Sequence, residues 1–263
     1  MSASNSNIIN ALGDELHAAL MACTPVAPLT SRGHDLTIED AYKIQERMLS
    51  HRYNGGARLV GKKVGATSAA VQNLLKVNQP DFGMLLSDMI YNEGEEIPIS
   101  RLIQPRAEGE IAFILKRDLM GPGLTIAEVL SATECVMPCF EIVDSRIENW
   151  QIKIQDTVAD NASCGVFVLG GAAKPPKEVD LELCGMYLEK NGALQVTGSG
   201  SAALGHPANA IAWLGNTLGR LGIGLKAGEI ILSGALAGLV PITKGDALTM
   251  TIGGLGSASV KFG

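Results

Sequence analysis

Aromatic residues, charged residues and paired cysteines are all scarce in this 263-residue sequence. Aromatic side chains make up 4% of it, which argues against a base-stacking surface for nucleic acid. The net charge is −6, so the chain lacks the basic excess with which proteins bind nucleic-acid phosphates or anionic lipid. The five cysteines include no CxxC pair, and we interpret them as reduced thiols rather than as zinc ligands.

No segment of the sequence is typical of export or of a membrane span. The N-terminal stretch MSASNSNIINALGDELHAAL lacks both a basic start and an apolar core, so it does not resemble a secretory signal. The longest nearly apolar run extends only from Ile230 to Ile242 and contains Pro241, whereas a spanning helix needs about 20 residues. We therefore expect a cytoplasmic protein that does not bind membranes.

Hydrophobic residues make up 46% of the sequence, which indicates a folded chain with a sizeable core. Apolar spacing and capping residues predict helices at 7–21, after Thr37, after Thr67 or Ser68 (with Val71, Leu74 and Leu75), after Thr125 and at 207–221. Alternating and apolar runs predict strands at 58–64, 108–115, 136–143, 165–169, 181–189, 229–233, 247–252 and 257–262. We interpret 78–83 and 156–163 as loops. This order predicts an α+β chain with a helical segment, 1–90, packed on the same continuous domain as a β-rich core, 91–263.

The most informative motif contains Glu108 and Glu110. Residues two apart in a strand point to the same face, and the apolar residues that follow on both faces indicate a buried strand. Two adjacent carboxylates beside an apolar core repel each other unless a cation compensates, and Mg²⁺ or Mn²⁺ prefers oxygen ligands. The alternative is a solvent-facing strand start with two hydrated carboxylates.

A third acid, Glu141, interrupts the apolar run 135–143. A buried carboxylate needs a partner, and a neighbouring strand can bring Glu141 opposite Glu108 and Glu110. Three carboxylates of this kind are sufficient for a metal site. The alternative is a salt bridge from Glu141 to Arg146 or Arg106.

Three further positions are candidates for proton transfer or substrate contact. Lys63 follows Gly61 and precedes Gly65, so it can reach a pocket that a ligand approaches closely; the alternative is a solvated lysine. Asp81, in the stretch Pro-Asp-Phe-Gly, is either a general base or a turn residue. Ser163, in a polar stretch, either lines a pocket or stabilises a loop.

Other familiar site motifs are missing. The sequence has no P-loop, no G-x-S-x-G and no dinucleotide-binding fingerprint, and its histidines form no ligand pair. We interpret Trp150 and Trp213 as packing residues.

Six motifs, in order along the chain from about Thr37, resemble those of the 2-keto-4-pentenoate (2-hydroxypenta-2,4-dienoate) hydratases, which belong to the fumarylacetoacetate hydrolase superfamily. They are GKKVGATS (61–68), VNQPDFG (77–83), QPRAEGEI (104–111), FEIVDSR (140–146), DTVADNASCG (156–165) and LGHP (204–207). One departure is Ala107, where many relatives have a bulkier aliphatic residue. It leaves both neighbouring glutamates in register.

The resemblance implies a fold, a site and an activity. The fold is a mixed, highly curved β-sheet roll with flanking helices, like the C-terminal domain of fumarylacetoacetate hydrolases. In the implied site, the ligands for Mg²⁺ or Mn²⁺ are Glu108, Glu110 and Glu141. The acid–base pair is Lys63 and Asp81, and the substrate contact is Ser163. The implied activity is that of a hydro-lyase that converts 2-hydroxypenta-2,4-dienoate into 4-hydroxy-2-oxopentanoate during meta-cleavage degradation of aromatic compounds. Relatives assemble as homo-oligomers, commonly pentamers or decamers.

Three other functions stay open at this point. A 4-oxalocrotonate decarboxylase of the same superfamily needs no base to activate water, and the family pattern there has an apolar residue in place of Asp81, so Asp81 favours the hydratase. A seven-carbon dioate hydratase needs cationic groups for its second carboxylate, which the sequence does not place. A non-catalytic partner subunit of a decarboxylase would use the glutamates only for a structural metal, and the retention of Lys63 and Asp81 weighs against it.

Overall fold

The computed structural model describes residues 3–68, 71–73 and 76–263. Its helices include α1 (Ala3–Ala22), α2 (Ile38–Asn54), α3 (Ile126–Ala132), α4 (Ile154–Ala159) and α5 (Pro207–Gly219). Its strands are β1 (Leu59–Gly65), β2 (Asp81–Leu86), β3 (Ile90–Asn92), β4 (Glu96–Ile97), β5 (Arg106–Leu115), β6 (Thr133–Val143), β7 (Cys164–Leu169), β8 (Gly185–Lys190), β9 (Ala193–Ser199), β10 (Ile230–Leu232), β11 (Val240–Pro241), β12 (Ala247–Ile252) and β13 (Gly256–Phe262). Residues 71–73 are helical, as predicted, whereas Leu74 and Leu75 of that predicted helix lie outside the described residues.

The two N-terminal helices pack against each other through apolar residues. Their buried residues recur at helical spacing and form one cluster: Ile9, Leu12, Leu16, Ile44 and Met48. α2 begins at a capping box, in which the Thr37 side chain accepts from the Asp40 amide and the Asp40 carboxylate accepts from the Thr37 amide. In the part of the chain that the structure describes, no helix has the length and apolar character needed to cross a membrane.

A large mixed sheet carries the predicted site residues. Its strands lie in the order β2-β1-β10-β5-β6-β7-β3, and β11 pairs with β5 as well. The long strands β5 and β6 are antiparallel neighbours at its centre. β1, β2 and β3 belong to the stretch 1–90, so this stretch contributes strands to the sheet as well as helices.

A second sheet, in the order β4-β13-β12-β8-β9, covers one face of the first. Residues of β5 and β6 on that face share a core cluster with residues of β12 and β13, among them Ile111, Phe140, Met250 and Val260. The two sheets approach closely at Gly109, where an added Cβ would lie 2.4 Å from Met250 Sδ. A larger side chain does not fit between Glu108 and Glu110, because position 109 faces the second sheet.

The two predicted loops are wrong in part. Asp81 and Gly83 belong to β2, where they pair with Gly65 and Lys63 of β1. An added Cβ at Gly83 would lie 2.6 Å from the Asn161 carbonyl oxygen. The glycine thus permits a close approach and does not end a strand. The stretch 156–163 is not a loop throughout, because it contains part of α4 followed by a tight turn. The Asp156 carboxylate caps α4 by accepting from the Lys153 amide at 2.9 Å. Of the other boundaries, β8 begins four residues later than predicted and α5 ends two residues earlier (185 against 181, 219 against 221).

Candidate active site

Glu108, Glu110 and Glu141 converge at the centre of the large sheet. Glu108 and Glu110 point to the same face of β5, and Glu141 on β6 pairs directly opposite Glu108. One carboxylate oxygen from each residue lies within 4.8 Å of the other two. Two neighbouring strands therefore bring Glu141 next to Glu108 and Glu110, which precede it by about 30 residues in the sequence.

The three carboxylates have few hydrogen-bond donors around them. Glu110 and Glu141 are fully buried, and Glu108 is half-buried at the edge of a pocket. Burial, reinforced by the charge of Glu141, raises the pKa of Glu108 to about 7 and raises the pKa of Glu110 well above its ordinary value. The Gly234 amide donates to Glu110 Oε2 at 2.7 Å. Within the described residues, Glu110 Oε1 and Glu141 Oε2 accept no hydrogen bond, and Glu141 Oε1 lies 3.1 Å from the Lys63 ammonium nitrogen.

The two buried oxygens without a partner among the described residues, Glu110 Oε1 and Glu141 Oε2, fit a hard divalent cation. Such ions prefer oxygen ligands, and the convergent groups are three carboxylates. A cation among them would also neutralise the mutual repulsion and supply the missing partners of the buried oxygens. The donor set thus fits Mg²⁺ or Mn²⁺ better than a zinc site, which favours nitrogen and sulfur.

Lys63 on β1 extends to the same cluster. It is 3% exposed, its Nζ lies 3.1 Å from Glu141 Oε1, and it donates to the Ala162 carbonyl at 2.9 Å. Burial by itself would lower the pKa of Lys63, but the charges of Glu141 and Asp81 outweigh burial and leave this pKa above its ordinary value. Lys63 is therefore an ammonium group at neutral pH, and the alternative of a solvated lysine is wrong.

Asp81 shares this space with Lys63 because of a glycine between them. Asp81 is 4% exposed and pairs in register with Gly65 of β1. An added Cβ at Gly65 would lie 2.2 Å from Asp81 Oδ1 and 3.2 Å from Lys63 Nζ. Burial raises the pKa of Asp81, although Lys63 partly offsets this. Asp81 Oδ1 accepts no hydrogen bond within the described residues, which leaves it available to a proton, a water molecule or a substrate.

Ser163 belongs to a strained turn that follows α4. Asn161, Ala162 and Ser163 have φ angles of 54°, 50° and 52°, in the left-handed region that costs an L-residue about 1–2 kcal/mol. The Asn161 side chain fixes the turn to β2, since its Oδ1 accepts from the Met84 amide at 2.8 Å and its Nδ2 donates to the Met84 carbonyl at 3.0 Å. The turn thereby presents the Ala162 carbonyl to Lys63 and places Ser163 on the pocket wall.

A buried ion pair supports this turn from behind. Arg146 donates to the Asp160 carboxylate and, at 3.0 Å, to the Cys164 carbonyl, so it spans the turn from one end to the other. Asp160 Oδ2 also accepts from the Ser145 hydroxyl at 3.1 Å. Arg146 is therefore engaged by Asp160, and the alternative salt bridge from Glu141 to Arg146 is wrong.

The predicted residues surround one pocket of about 600 Å³. Lys63, Asp81, Glu108 and Ser163 line it, and the side chains of Glu110 and Glu141 adjoin Glu108. The structure thus brings together all six residues that the sequence analysis predicted for the site. Much of the remaining wall is apolar or small, and it includes Val71, Val143, Ile152, Ala202, Ala237 and Leu239.

Sequence reasoning missed several residues that shape the site. Gly65 and Gly234 act through the absence of a side chain: Gly65 leaves room for Asp81, and Gly234, with φ 94°, turns its amide toward Glu110. A glycine in a glycine-rich sequence gives no signal of such a role. Trp150, interpreted as a packing residue, lines the pocket, and Arg106 lies over its ring at 4.6 Å from the centroid.

Comparison with known proteins agrees with the resemblance inferred from the motifs. The family described as fumarylacetoacetate (FAA) hydrolase C-terminal matches residues 56–262. A 2-hydroxypent-2,4-dienoate hydratase from Pseudomonas putida is 64% identical over 220 residues, which are 83% of this chain and 99% of that protein. A 2-hydroxyhexa-2,4-dienoate hydratase from Comamonas testosteroni is 54% identical over 261 residues, 98% of this chain and 99% of that protein.

A solved structure extends the agreement to three dimensions. The 4-oxalocrotonate decarboxylase from Pseudomonas putida G7, complexed with magnesium and adipate, superposes with a TM-score of 0.94 at 35% identity and 97% coverage of both chains. This confirms the predicted fold class. The profile match, the sequence identities and the superposition together show that this chain belongs to the fumarylacetoacetate hydrolase family.

Proposed function

We propose that this protein is a metal-dependent hydratase that adds water to 2-hydroxypenta-2,4-dienoate and releases 4-hydroxy-2-oxopentanoate, a step of meta-cleavage degradation of aromatic compounds. The observation that carries the proposal is the cluster of three buried, mutually repelling carboxylates beside Lys63 and Asp81 in a single pocket. The names of the two hydratases described above support the same reaction.

Glu108, Glu110 and Glu141 would hold a divalent cation, Mg²⁺ or Mn²⁺. When bound, the ion supplies Lewis-acid stabilisation of negative charge on the C2 oxygen and orients a 2-oxo acid. The protein contributes the carboxylates on two rigid neighbouring strands, so the ligand geometry is fixed before the substrate arrives. It also contributes the Gly234 amide, which orients Glu110.

Lys63 and Asp81 would carry the protons. In the reaction, the proton of the 2-hydroxyl group moves to C5, and water then adds with its oxygen at C4 and its proton at C3. Asp81 has a raised pKa and a free oxygen, so its carboxyl group can donate a proton and its carboxylate can accept one from water. Lys63 stays protonated beside Glu141 and stabilises negative charge that develops on the substrate. Ser163 would hold the substrate through its hydroxyl group.

Decarboxylation of 4-oxalocrotonate is the second candidate, because the decarboxylase from Pseudomonas putida G7 has nearly the same fold. Asp81 favours the hydratase, since decarboxylation requires no group that activates water. Two expectations about assembly accompany the proposal: a homo-oligomer, a pentamer or a decamer, and association with a decarboxylase. We likewise propose that the stretches 1–90 and 91–263 form one continuous domain.

A direct test measures the loss of dienol absorbance with the purified protein. Chelation should abolish turnover and Mg²⁺ should restore it, whereas full activity of the chelated protein would contradict the metal-dependent scheme. Asp81→Asn should retain metal binding and lose most turnover, and an unchanged rate would remove Asp81 from the reaction. CO₂ release from 4-oxalocrotonate, measured in parallel, would favour the decarboxylase. Absence of both activities would favour a non-catalytic partner.

A further inference from the structure

Asp160 is a buried carboxylate next to the pocket hydroxyl of Ser163. Its side chain is fully buried, and its Oδ2 accepts from the Arg146 amide at 3.0 Å and from the Ser145 hydroxyl at 3.1 Å. The same oxygen lies 3.4 Å from the hydroxyl oxygen of Ser163, which lines the pocket. Burial raises the pKa of Asp160 to about 6, so at pH 8 the group is a carboxylate and can only accept hydrogen bonds.

Thr157 extends this contact to a chain of three side-chain groups. Thr157 belongs to α4 and lines the same pocket, and its hydroxyl oxygen lies 3.1 Å from that of Ser163. Among the residues that the structure describes, Ser163 is the one hydrogen-bond partner of the Thr157 hydroxyl. The chain from Thr157 through Ser163 to Asp160 thus has two links, and two hydroxyl protons are present to form them.

The carboxylate fixes the direction of this chain. A hydroxyl group has one proton to donate and two lone pairs that accept. Because Asp160 brings no proton, its link to Ser163 uses the serine proton. The link between Thr157 and Ser163 then uses the threonine proton. Both protons are therefore engaged within the protein, and both hydroxyl groups offer only lone pairs to a ligand.

This direction limits which group of the proposed substrate Ser163 can contact. The substrate of the proposed reaction, 2-hydroxypenta-2,4-dienoate, has a single O–H group, at C2, and its ionised carboxylate only accepts hydrogen bonds. The corresponding 2-oxo form has no O–H group, so its carbonyl oxygen would meet a lone pair of Ser163. Two acceptors left facing each other in a buried site cost binding free energy. The contact therefore favours the 2-hydroxy form.

We propose that Asp160 is a positioning residue, which makes the Ser163 hydroxyl oxygen an acceptor for the 2-hydroxyl group of the substrate. The pocket then binds the 2-hydroxy form of an acid in preference to its 2-oxo form. The inference rests on the proposed function, because that function supplies the substrate and assigns Ser163 to it. It adds a buried residue that sets the polarity of this contact, and it states which form of the substrate the contact selects.

Binding of two five-carbon acids without a C=C bond tests the proposal: 2-hydroxypentanoate, each enantiomer separately, and 2-oxopentanoate. Calorimetry at pH 8 on the Mg²⁺-loaded protein gives the ratio of the Kd for the 2-oxo acid to the Kd for the tighter 2-hydroxy enantiomer. The affinity of the metal for each C2 oxygen is common to all variants, so a change in this ratio reports the contact with the protein. Ser163→Ala should lower the ratio about 5-fold or more, because it removes the acceptor.

Two substitutions of aspartate separate positioning from a general structural effect. Asp160→Asn should lower the ratio about as much as Ser163→Ala, because the new amide group can donate to Ser163 and leave the serine proton for the ligand. Asp156→Asn is the matched control, since Asp156 is also fully buried but accepts from Thr30 and Lys153. This control should leave the ratio unchanged.

Thr157→Val tests the direction of the chain without removing a charge. It should change the ratio by less than about twofold, because Ser163 still donates to Asp160. If the chain runs in the opposite direction, Thr157 donates to the ligand, and its loss raises the ratio several-fold by weakening binding of the 2-oxo acid. That rise would overturn the proposal.

Two other results would overturn it as well: a wild-type ratio in Ser163→Ala, or a wild-type ratio in folded Asp160→Asn. If Asp160→Asn does not fold, Ser163→Ala and Thr157→Val decide between the two directions. All of these results leave the proposed function intact. Failure of the wild-type protein to bind either acid would overturn the proposed function together with this inference.

Discussion

The three buried glutamates should make the metal-free protein less stable as the pH rises. Native Glu108 has a pKa of about 7, against 4.5 for an ordinary glutamate, so between these values the native state binds more protons than the unfolded chain. The contribution of Glu108 to the free energy of unfolding therefore falls with rising pH and levels off above about 7, and the raised pKa of Glu110 adds a fall of the same sign. At 1.36 kcal/mol per pH unit, the difference amounts to at most about 3 kcal/mol.

Coulomb's law gives a similar magnitude. Two charges separated by 4.8 Å, the limiting distance between the carboxylate oxygens, repel by about 3 kcal/mol at an effective dielectric constant near 20. Glu108→Gln should therefore stabilise the metal-free protein by up to about 3 kcal/mol at pH 8 and leave it nearly unchanged at pH 5. The same substitution should abolish the stabilisation that Mg²⁺ gives to the wild-type protein.

Urea denaturation between pH 5 and pH 8, with chelator and then with Mg²⁺, measures both effects. Glu134→Gln is the matched control, because Glu134 lies on β6 like Glu141 but its side chain is 66% exposed and its contact with Lys116 is 4.0 Å long. This control should keep the pH dependence and the Mg²⁺ response of the wild-type protein. If stability of the metal-free wild type rises from pH 5 to pH 8, or if the two glutamine variants behave alike, the carboxylates do not form a repelling cluster.

Three further substitutions test the parts of the site around the glutamates. Lys63→Met should lower kcat by about 10²-fold or more in steady-state assays with saturating Mg²⁺, because it removes the ammonium group beside Glu141 in the proposed site. An unchanged kcat would contradict this role. Gly65→Ala should lower kcat by about 10²-fold, because the added Cβ would displace Asp81. The control Gly185→Ala should leave kcat unchanged, because an added Cβ there meets nothing within 4 Å. Equal effects of the two substitutions on kcat would refute the steric explanation. Ala162→Gly should change the free energy of unfolding by less than about 1 kcal/mol, because relief of the left-handed backbone strain offsets the extra conformational entropy that glycine loses on folding. A loss of several kcal/mol in urea denaturation would show that Ala162 is not strained.

Local patterns were sufficient for the elements that bury apolar residues. The apolar spacing along α2 and the capping residue Thr37 predicted that helix, and the apolar stretches around Glu108 and Glu141 predicted β5 and β6. Prediction was wrong where a residue acts through a distant neighbour. Gly83 lies in a stretch with the composition of a turn, but it pairs with Lys63 in a strand, and glycine is needed there because the distant Asn161 occupies the space over it.

The candidate site shows the same division. The amino-acid sequence by itself determined which groups are available: three glutamates in apolar surroundings, a lysine between glycines, and an aspartate after a proline. Only the tertiary structure decided that β5 and β6 pair with Glu108 opposite Glu141, that Arg146 is engaged by Asp160, and that Arg106 lies over the Trp150 ring. The physical reason is that hydrophobic periodicity is a local property of the chain, whereas the register between strands and the partner of each buried charge depend on residues far apart in sequence.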